Sequence, residues 1–388
     1  MKILYIVHDL NDAAVKRRVS MLAHGGAEVT LIGFYRGKKP ESTLCGCPTL
    51  SLGETFDASF MQRIIKVVQA ITDLKTTLRH TSHFDVIMAR NLDMLAIGNK
   101  AKSLLNIPLI YECLDIHRFL IAKNWVGRIF RHLEKRLCHS ASLLITSSQG
   151  FIDNYFEPIS NTNLPYYILE NKVFSTAPLP HTTQKTFDKE HISIAWNGAI
   201  RCHRSLKILS QVTRQLKGKV TVTIWGKPAY TEFSDFDALV NNEPYIEFKG
   251  PYCFPDDLAK IYQHADFNWT LDFFEEGGNS EWLLPNRIYE GGLFNVPPIY
   301  RANTFMAKIL EDLKLGTSID EDFCQALQSF LTSIDDASYQ SLRLNMQAVP
   351  SSRWCYDNVQ CQSLIQLLSQ EASRDNKNDL QGLIRVTK

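Results

Sequence analysis

The stretch Trp196-Asn197-Gly198-Ala199-Ile200-Arg201-Cys202-His203-Arg204-Ser205-Leu206 reads as a strand end, a glycine and then cations opening a helix. Gly198 permits close backbone approach, and Arg201 and Arg204 bring charge to a helix start that already favours an anion. Cations at that end oppose the helix dipole, which favours a ligand role over a stabilising one. The pattern suits a diphosphate. A second stretch runs from Gly277-Gly278-Asn279-Ser280 to Pro285-Asn286-Arg287-Ile288-Tyr289-Glu290-Gly291-Gly292. Its first four residues are expected to present a nest of backbone N–H groups. Pro285 suits a first helical turn, with Asn286 and Arg287 behind it. Glu290 lies inside that helix beside two glycines, where a carboxylate can accept two hydrogen bonds from a ribose diol. The competing readings are a solvated basic helix start and an exposed helical glutamate.

Polar residues also collect behind the apolar runs of the first half. His8, Asp9, Asn11 and Asp12 follow 3–7; Arg90, Asn91 and Asp93 follow 86–89; Asp115 and His117 follow 109–112; Ser147 and Ser148 follow 143–146. Ligands of open α/β sheets bind beyond the carboxyl ends of the strands. Helix capping is the alternative, because Asp, Asn and Ser are common caps.

These positions need a frame. Strands are predicted at 3–7, 29–32, 86–89, 109–112, 143–146 and 166–169. Helices are predicted at 12–24, 60–79 and 123–139. Such alternation implies a parallel sheet with right-handed crossovers. Residues 174–190, with Pro178 and Pro180, read as a linker. A second series has strands at 192–196, 220–225, 245–248, 267–269 and 298–300. The expected architecture is α/β, with two Rossmann-like doubly wound domains at 1–173 and 191–350 facing a central cleft. A helix at 351–372, carrying Trp354, Val359, Leu364, Leu367 and Leu368, is expected to cross back to the first domain. A loose tail follows at 373–388.

Composition narrows the chemistry. The 388 residues suit two domains, and a net charge of +1 gives no global field selecting nucleic acid. Nine scattered cysteines complete no zinc set and read as reduced thiols. No G-x-G-x-x-G, P-loop lysine, H-E-x-x-H or G-x-S-x-G is present. Asp235-Phe236-Asp237 reads as a helix cap, and no divalent metal or other cofactor is expected. The opening residues do not read as a secretory signal, and no run approaches the roughly 18 apolar residues of a membrane span. A cytoplasmic protein is therefore expected, peripheral at most on the inner membrane face.

That peripheral contact is assigned to 123–139. Val126, Ile129, Phe130, Leu133 and Leu137 share one helical face, expected to dock on the first sheet. Arg128, Arg131 and Lys135 form one basic stripe, and His132, Arg136 and His139 another. Glu134 is the one acid, and Trp125 is placed at headgroup level. Weak, reversible contact with an anionic membrane is the expectation.

At 196–206 and 279–299 the chain resembles the GT-B retaining glycosyltransferases of family 4. Tyr111-Glu112-Cys113-Leu114-Asp115-Ile116-His117 shares the resemblance, and His8-Asp9-Leu10, Arg17-Arg18 and Ile145-Thr146-Ser147-Ser148 are similar to surface-polysaccharide members. The resemblance implies sugar transfer from a nucleoside diphosphate sugar, with retained configuration, to a saccharide or lipid-linked saccharide. Glu290 matches the ribose-holding second glutamate of the family's E-x7-E motif, and Arg204 matches its diphosphate-holding lysine. Ala199 stands where the family has an arginine, leaving Arg201 as the second cation. Trp282 stands where the family has its first acid, and Leu114 where it often has a histidine, with His117 as stand-in. The resemblance gives Asp115 and His117 the catalytic region, and places the acceptor near His8, Asp9 and Asn11. Gly198, Arg201, Arg204, Asn279, Ser280, Asn286, Arg287 and Glu290 fall to the donor. A nucleotide-sugar epimerase and a non-catalytic nucleotide-sugar-binding protein of the same fold remain as alternatives.

Overall fold

The computed structural model describes residues 1–56, 60–79, 81, 83–177 and 186–374. Residues 178–185 of the expected linker and 375–388 of the expected tail lie outside these. The chain divides into two compact units, Met1–Glu170 with the chain from Asp357 onward, and Asn171–Tyr356. Each is a Rossmann-like α/β layer structure.

Among the described residues, the first unit's sheet has strands β1 (Lys2–Val7), β2 (Glu28–Tyr35), β3 (Thr43–Leu44), β4 (Cys47–Glu54), β5 (Val86–Arg90), β6 (Leu109–Cys113), β7 (Leu143–Thr146) and β8 (Tyr166–Ile168). Their order is β3-β4-β2-β1-β5-β6-β7-β8, and every pairing is parallel except β3 with β4. Ile3 to Val7 are fully buried, as a strand covered on both faces requires. The helices are α1 (Ala13–His24), α2 (Phe60–Thr77), α3 (Asn91–Leu105), α4 (Arg118–Ile121), α5 (Trp125–Cys138) and α6 (Gln149–Phe151), the last continuing as a π-helical segment over Ile152–Ser160. β3 and β4 were not expected. Pro48, Gly46 and Gly53 break their apolar pattern, and Pro48 is tolerated because β4 pairs on that side only with a two-residue strand.

The helix expected to dock its apolar face on the sheet is turned. In α5 the buried residues are Gly127, Glu134 and Cys138, while Ile129 and Leu133 are exposed. Glu134 is the cause. Its carboxylate accepts hydrogen bonds from Tyr155 Oη at 2.5 Å, Ser160 Oγ at 2.9 Å and Tyr111 Oη at 3.4 Å. Arg131 leaves its expected basic stripe and donates from Nη1 to the carbonyls of Leu120 and Ala122, at 2.7 and 2.8 Å. A Cβ on Gly127 would lie 1.9 Å from the Ala122 carbonyl oxygen, so glycine is what lets the helix start against that turn.

The second unit has β9 (Ile192–Ile200), α7 (His203–Gln215), β10 (Val220–Pro228), α8 (Phe236–Asn241), β11 (Ile246–Gly250), α9 (Leu258–Tyr262), β12 (Phe267–Trp269), α10 (Asn279–Trp282), α11 (Asn286–Leu293), β13 (Pro298–Arg301), α12 (Phe305–Asp312), β14 (Thr317–Ile319), α13 (Phe323–Ser333) and α14 (Asp336–Ala348). Its parallel sheet runs β11-β10-β9-β12-β13-β14. Strand order therefore reverses between β9 and β12, where such sheets leave a crevice for ligands. Asp235 accepts from the Ala238 N–H and caps α8.

The last helix, α15 (Asn358–Arg374), packs on α1 of the first unit. Leu364 and Leu368 are buried there, but Val359 is exposed. Trp354 does not travel with them: it belongs to the second unit's core beside Tyr289, Phe294 and Met346.

Candidate functional site

The crevice of the second unit is built on Asn197, at the end of β9. Its buried side chain donates from Nδ2 to Glu290 Oε2 at 2.6 Å and accepts from Tyr262 Oη at 2.7 Å. The same hydroxyl lies 3.4 Å from Glu290 Oε2. Burial, with Glu290 alongside, holds the Tyr262 phenol well above its usual range, so it stays a neutral donor. Arg287, buried on α11, donates from Nη1 to the Asn197 carbonyl at 3.3 Å. Asn268 Nδ2 donates to the Arg287 carbonyl at 2.6 Å. Glu290 is thus a buried, positioned carboxylate and not an exposed helical one. Asn286 opens the same helix at the surface.

Gly198 follows with φ of +111° and nothing within 4 Å of where a Cβ would stand. Gly226 on β10 is its register partner, and a Cβ there would meet the Gly198 carbonyl oxygen at 1.8 Å. Two glycines thus allow the strand ends to close beneath an open backbone.

Three arginines gather around the loop from Asp272 to Glu281. Arg201 lies 3.8 Å from Asp272 and 4.6 Å over the Phe274 ring. Arg204 lies 3.1 Å from Glu276 and 4.4 Å over Phe273. Arg301, at the end of β13, reaches Glu276 at 3.2 Å, Glu281 at 3.7 Å and the Phe273 ring at 5.2 Å. Its buried Nη1 has no hydrogen-bond partner among the described residues. Sequence reading passed over Arg301 and Phe273. The rule that picked out Arg201, polar residues beyond a strand's carboxyl end, applies equally to Arg301.

The expected nest is filled by the chain itself. The Gly277 N–H donates to the Glu281 carboxylate at 3.0 Å, and the Gly278 and Ser280 N–H groups to the Glu275 carbonyl at 3.1 and 3.3 Å. Asn279 donates to the Glu275 carboxylate at 2.6 Å, and Ser280 Oγ accepts from the Glu275 N–H at 2.9 Å. Asn279 and Ser280 therefore shape the loop, and these short-range bonds outcompete an open array of donors.

In the first unit the polar residues divide. Asp9 accepts from the Asn11 N–H at 2.9 Å, and Asn11 Nδ2 donates to the Lys38 carbonyl at 2.7 Å. Asp12 caps α1 through the Ala14 N–H, and its second oxygen lies 3.3 Å from His8 Nε2. Asp12 is held below the usual carboxylate range: burial opposes this, but the His8 hydrogen bond and the Arg90 charge outweigh it. Asp115 and His117 stand exposed after β6, and His117 Nδ1 accepts from the Phe119 N–H at 3.3 Å, capping α4. Beneath them lies a buried charge network that sequence reading did not mark. Glu112 accepts from Arg18 Nε at 2.8 Å, Arg90 Nε at 2.8 Å and Tyr5 Oη at 2.5 Å. Burial works against its ionisation, but the two guanidinium groups prevail and keep its carboxyl below the usual range.

Among the described residues, no group of three His, Cys, Asp or Glu is placed to hold a metal ion, and no helix is long and apolar enough to cross a membrane.

Solved structures share this architecture. Over 95% of this chain and all of the other, it superposes on HepE of Anabaena, determined in complex with UDP, with TM-score 0.68 at 16% identity. Sucrose-phosphate synthase of Thermosynechococcus elongatus gives 0.73 at 13% identity, over 96% of this chain and all of that one. No family model matches the chain. Two Rossmann-like units of this kind make the GT-B fold, which the chain shares with these structures. More narrowly, the chain belongs to the family of the succinoglycan biosynthesis protein ExoL of Rhizobium meliloti (strain 1021), with 40% identity over 384 residues, 95% of this chain and 93% of that protein.

Proposed function

We propose that this glycosyltransferase moves a sugar from a nucleoside diphosphate sugar, with retention, to a saccharide or lipid-linked saccharide acceptor of surface polysaccharide synthesis. The observation that carries the reading is Glu290, buried at the switch point and oriented by Asn197 and Tyr262, where a ribose diol can meet its carboxylate. Arg201, Arg204 and Arg301 take the departing diphosphate, which develops charge as the sugar leaves. A ligand phosphate competes with Asp272, Glu276 and Glu281 for them, so the loop acids are the groups it displaces. The UDP in HepE and the polysaccharide role in ExoL's name support uridine donors and this acceptor class. Charge neutralisation by arginine leaves no step that requires a metal. Exposed Asp115 and His117 orient hydroxyls, and the acceptor approaches the first unit near His8. The enzyme works at the cytoplasmic face of the membrane, where such acceptors are anchored.

Screening UDP-, GDP- and ADP-sugars for thermal stabilisation, then testing the hit with membrane lipid extract, decides the matter. Stabilisation by a nucleotide sugar and a glycosylated lipid product are expected. Stabilisation without product across extracts would make the protein a binder, and free epimerised sugar would make it an epimerase.

A further inference from the structure

The turning of α5 leaves apolar side chains in water. Trp125 is 65% exposed, Ile129 56% and Leu133 43%, spaced i, i+4, i+8 along one stripe. Arg128, Lys135, Arg136, His132 and His139 are exposed beside it, and the helix's one acid, Glu134, is buried. A second stripe lies on α2. Met61 is 68% exposed, Ile64 40%, Ile65 53% and Val68 54%, at i, i+3, i+4, i+7. Phe56, just before α2, is exposed as well. Residues 61–72 contain Arg63 and Lys66 and no acid. The inward side of α2 is furnished separately by Val67, Ala70 and Leu74, with Leu78 just past its end, so the outer stripe is surplus to the core.

Both stripes belong to one surface. α2 enters from β4 and α5 follows β6, strands that run parallel through the same sheet. Right-handed crossovers put α2, α3 and α5 on one face of that sheet, and α3 touches both of the others. Both helices therefore begin at the carboxyl edge of the strands, the edge where Asp115 and His117 stand.

Exposed apolar stripes flanked by an excess of cations, with Arg63 held by Asp93 of α3 and Asp73 a turn beyond Val68, complement one kind of partner, an anionic bilayer. A water-facing helix has no use for four apolar residues in its first two turns, and a second copy of the chain would set the cations of α5 against each other. We propose that the first unit docks on an anionic lipid bilayer through α2 and α5. Met61, Ile64, Ile65 and Val68 enter the acyl boundary, and Trp125 lies at the headgroup level. Arg128, Lys135 and Arg136 meet lipid phosphates. The surface deepens the membrane placement given above and makes no use of the donor site.

The test uses the full chain with phosphatidylcholine vesicles, with and without phosphatidylglycerol, at low and high salt. UDP titration is run on the same samples, so that failure of docking is distinguished from failure of the donor reading. Wild type is expected to co-sediment with the anionic vesicles at low salt, and Trp125 fluorescence to shift to the blue, a shift absent in Trp125→Phe. Arg128→Glu with Arg136→Glu is expected to lower partitioning at least about tenfold. Ile65→Asp with Val68→Asp is expected to abolish the salt-resistant fraction. Both variants should keep wild-type thermal unfolding and UDP affinity, since the altered side chains are exposed. Absence of wild-type binding to anionic vesicles, binding unchanged in both variants, or a vesicle-free dimer that the α2 variant dissociates would each overturn the proposal.

Discussion

The side-chain amide of Asn197 donates a 2.6 Å hydrogen bond to Glu290, joining the end of β9 to the middle of α11. The bond fixes the Oε2 of the carboxylate and with it the orientation of the whole group at the strand end. Glu290→Ala is expected to weaken UDP binding by about 1.5–3 kcal/mol, the usual contribution of a hydrogen bond to a charged group. Calorimetry checks it, and unchanged affinity would remove Glu290 from the donor site.

Arg301 separates a phosphate role from a packing role. Arg301→Ala is expected to lower affinity for UDP about tenfold or more while leaving uridine binding unchanged, because a charge-assisted bond to phosphate is lost and the nucleoside contacts are not. Equal losses for both ligands would mean that Arg301 only shapes the loop through Glu276 and Glu281.

Transfer activity is expected to survive EDTA. On the proposed reading, Arg201, Arg204 and Arg301 supply the positive charge that a divalent ion would otherwise bring. Loss of turnover in chelator, with recovery on adding manganese or magnesium, would refute this.

Glu112 sets an acid limit on the first unit. Its carboxyl titrates lower in the fold than in the unfolded chain, so the stability it contributes is present above the ordinary carboxyl range. That stability is lost as pH falls through the depressed folded value. Glu112→Gln leaves Arg18 and Arg90 buried without their counter-charge and is expected to cost about 3–5 kcal/mol near neutral pH. The gap between variant and wild type should narrow in acid, as denaturant melts across pH will show.

Glu134 has the opposite sign. Burial, only partly countered by bonds from Tyr155, Ser160 and Tyr111, raises its carboxyl above the usual 4.5. A raised acid favours the fold when protonated, so its contribution declines as pH rises from the ordinary range through the folded value. Glu134→Gln is expected to flatten that decline. A variant whose stability profile keeps the wild-type slope would place the proton elsewhere.

Strand β1 was legible because a buried parallel strand is written as an unbroken apolar run, and β9 because its first half, interrupted only by Ser193, comes close to one. Arg204 stood out by residue type after a recognisable strand, and Glu290 as a helical carboxylate beside Gly291 and Gly292. Other features were hidden for physical reasons. Helical periodicity ranks Ile129 above Glu134 for burial, and only the hydroxyls of Tyr155 and Ser160, distant in sequence, reverse that ranking. Asp9 and Asn11 read as ligand groups, and in the fold Asp9 also accepts from the Asn11 N–H while Asn11 donates to the Arg36 and Lys38 carbonyls. Capping and binding use the same residue types, and only coordinates tell them apart. Arg18, Arg90 and Glu112 lie far apart in the chain and form one buried network.

The two glycines behind Glu290 bear on how this enzyme can change. A Cβ on Gly291 would lie 2.4 Å from Asn268 Nδ2, and one on Gly292 would lie 2.4 Å from the Trp354 indole. The helix carrying Arg287 and Glu290 is therefore wedged without clearance on that side. Libraries seeking altered sugar or base preference should tolerate almost nothing at 291 and 292, and drift there should be purged even where the new residue never meets a ligand. Diversity will accumulate instead at exposed Asn286 and along the 272–281 loop, so descendants with new donors should differ there first.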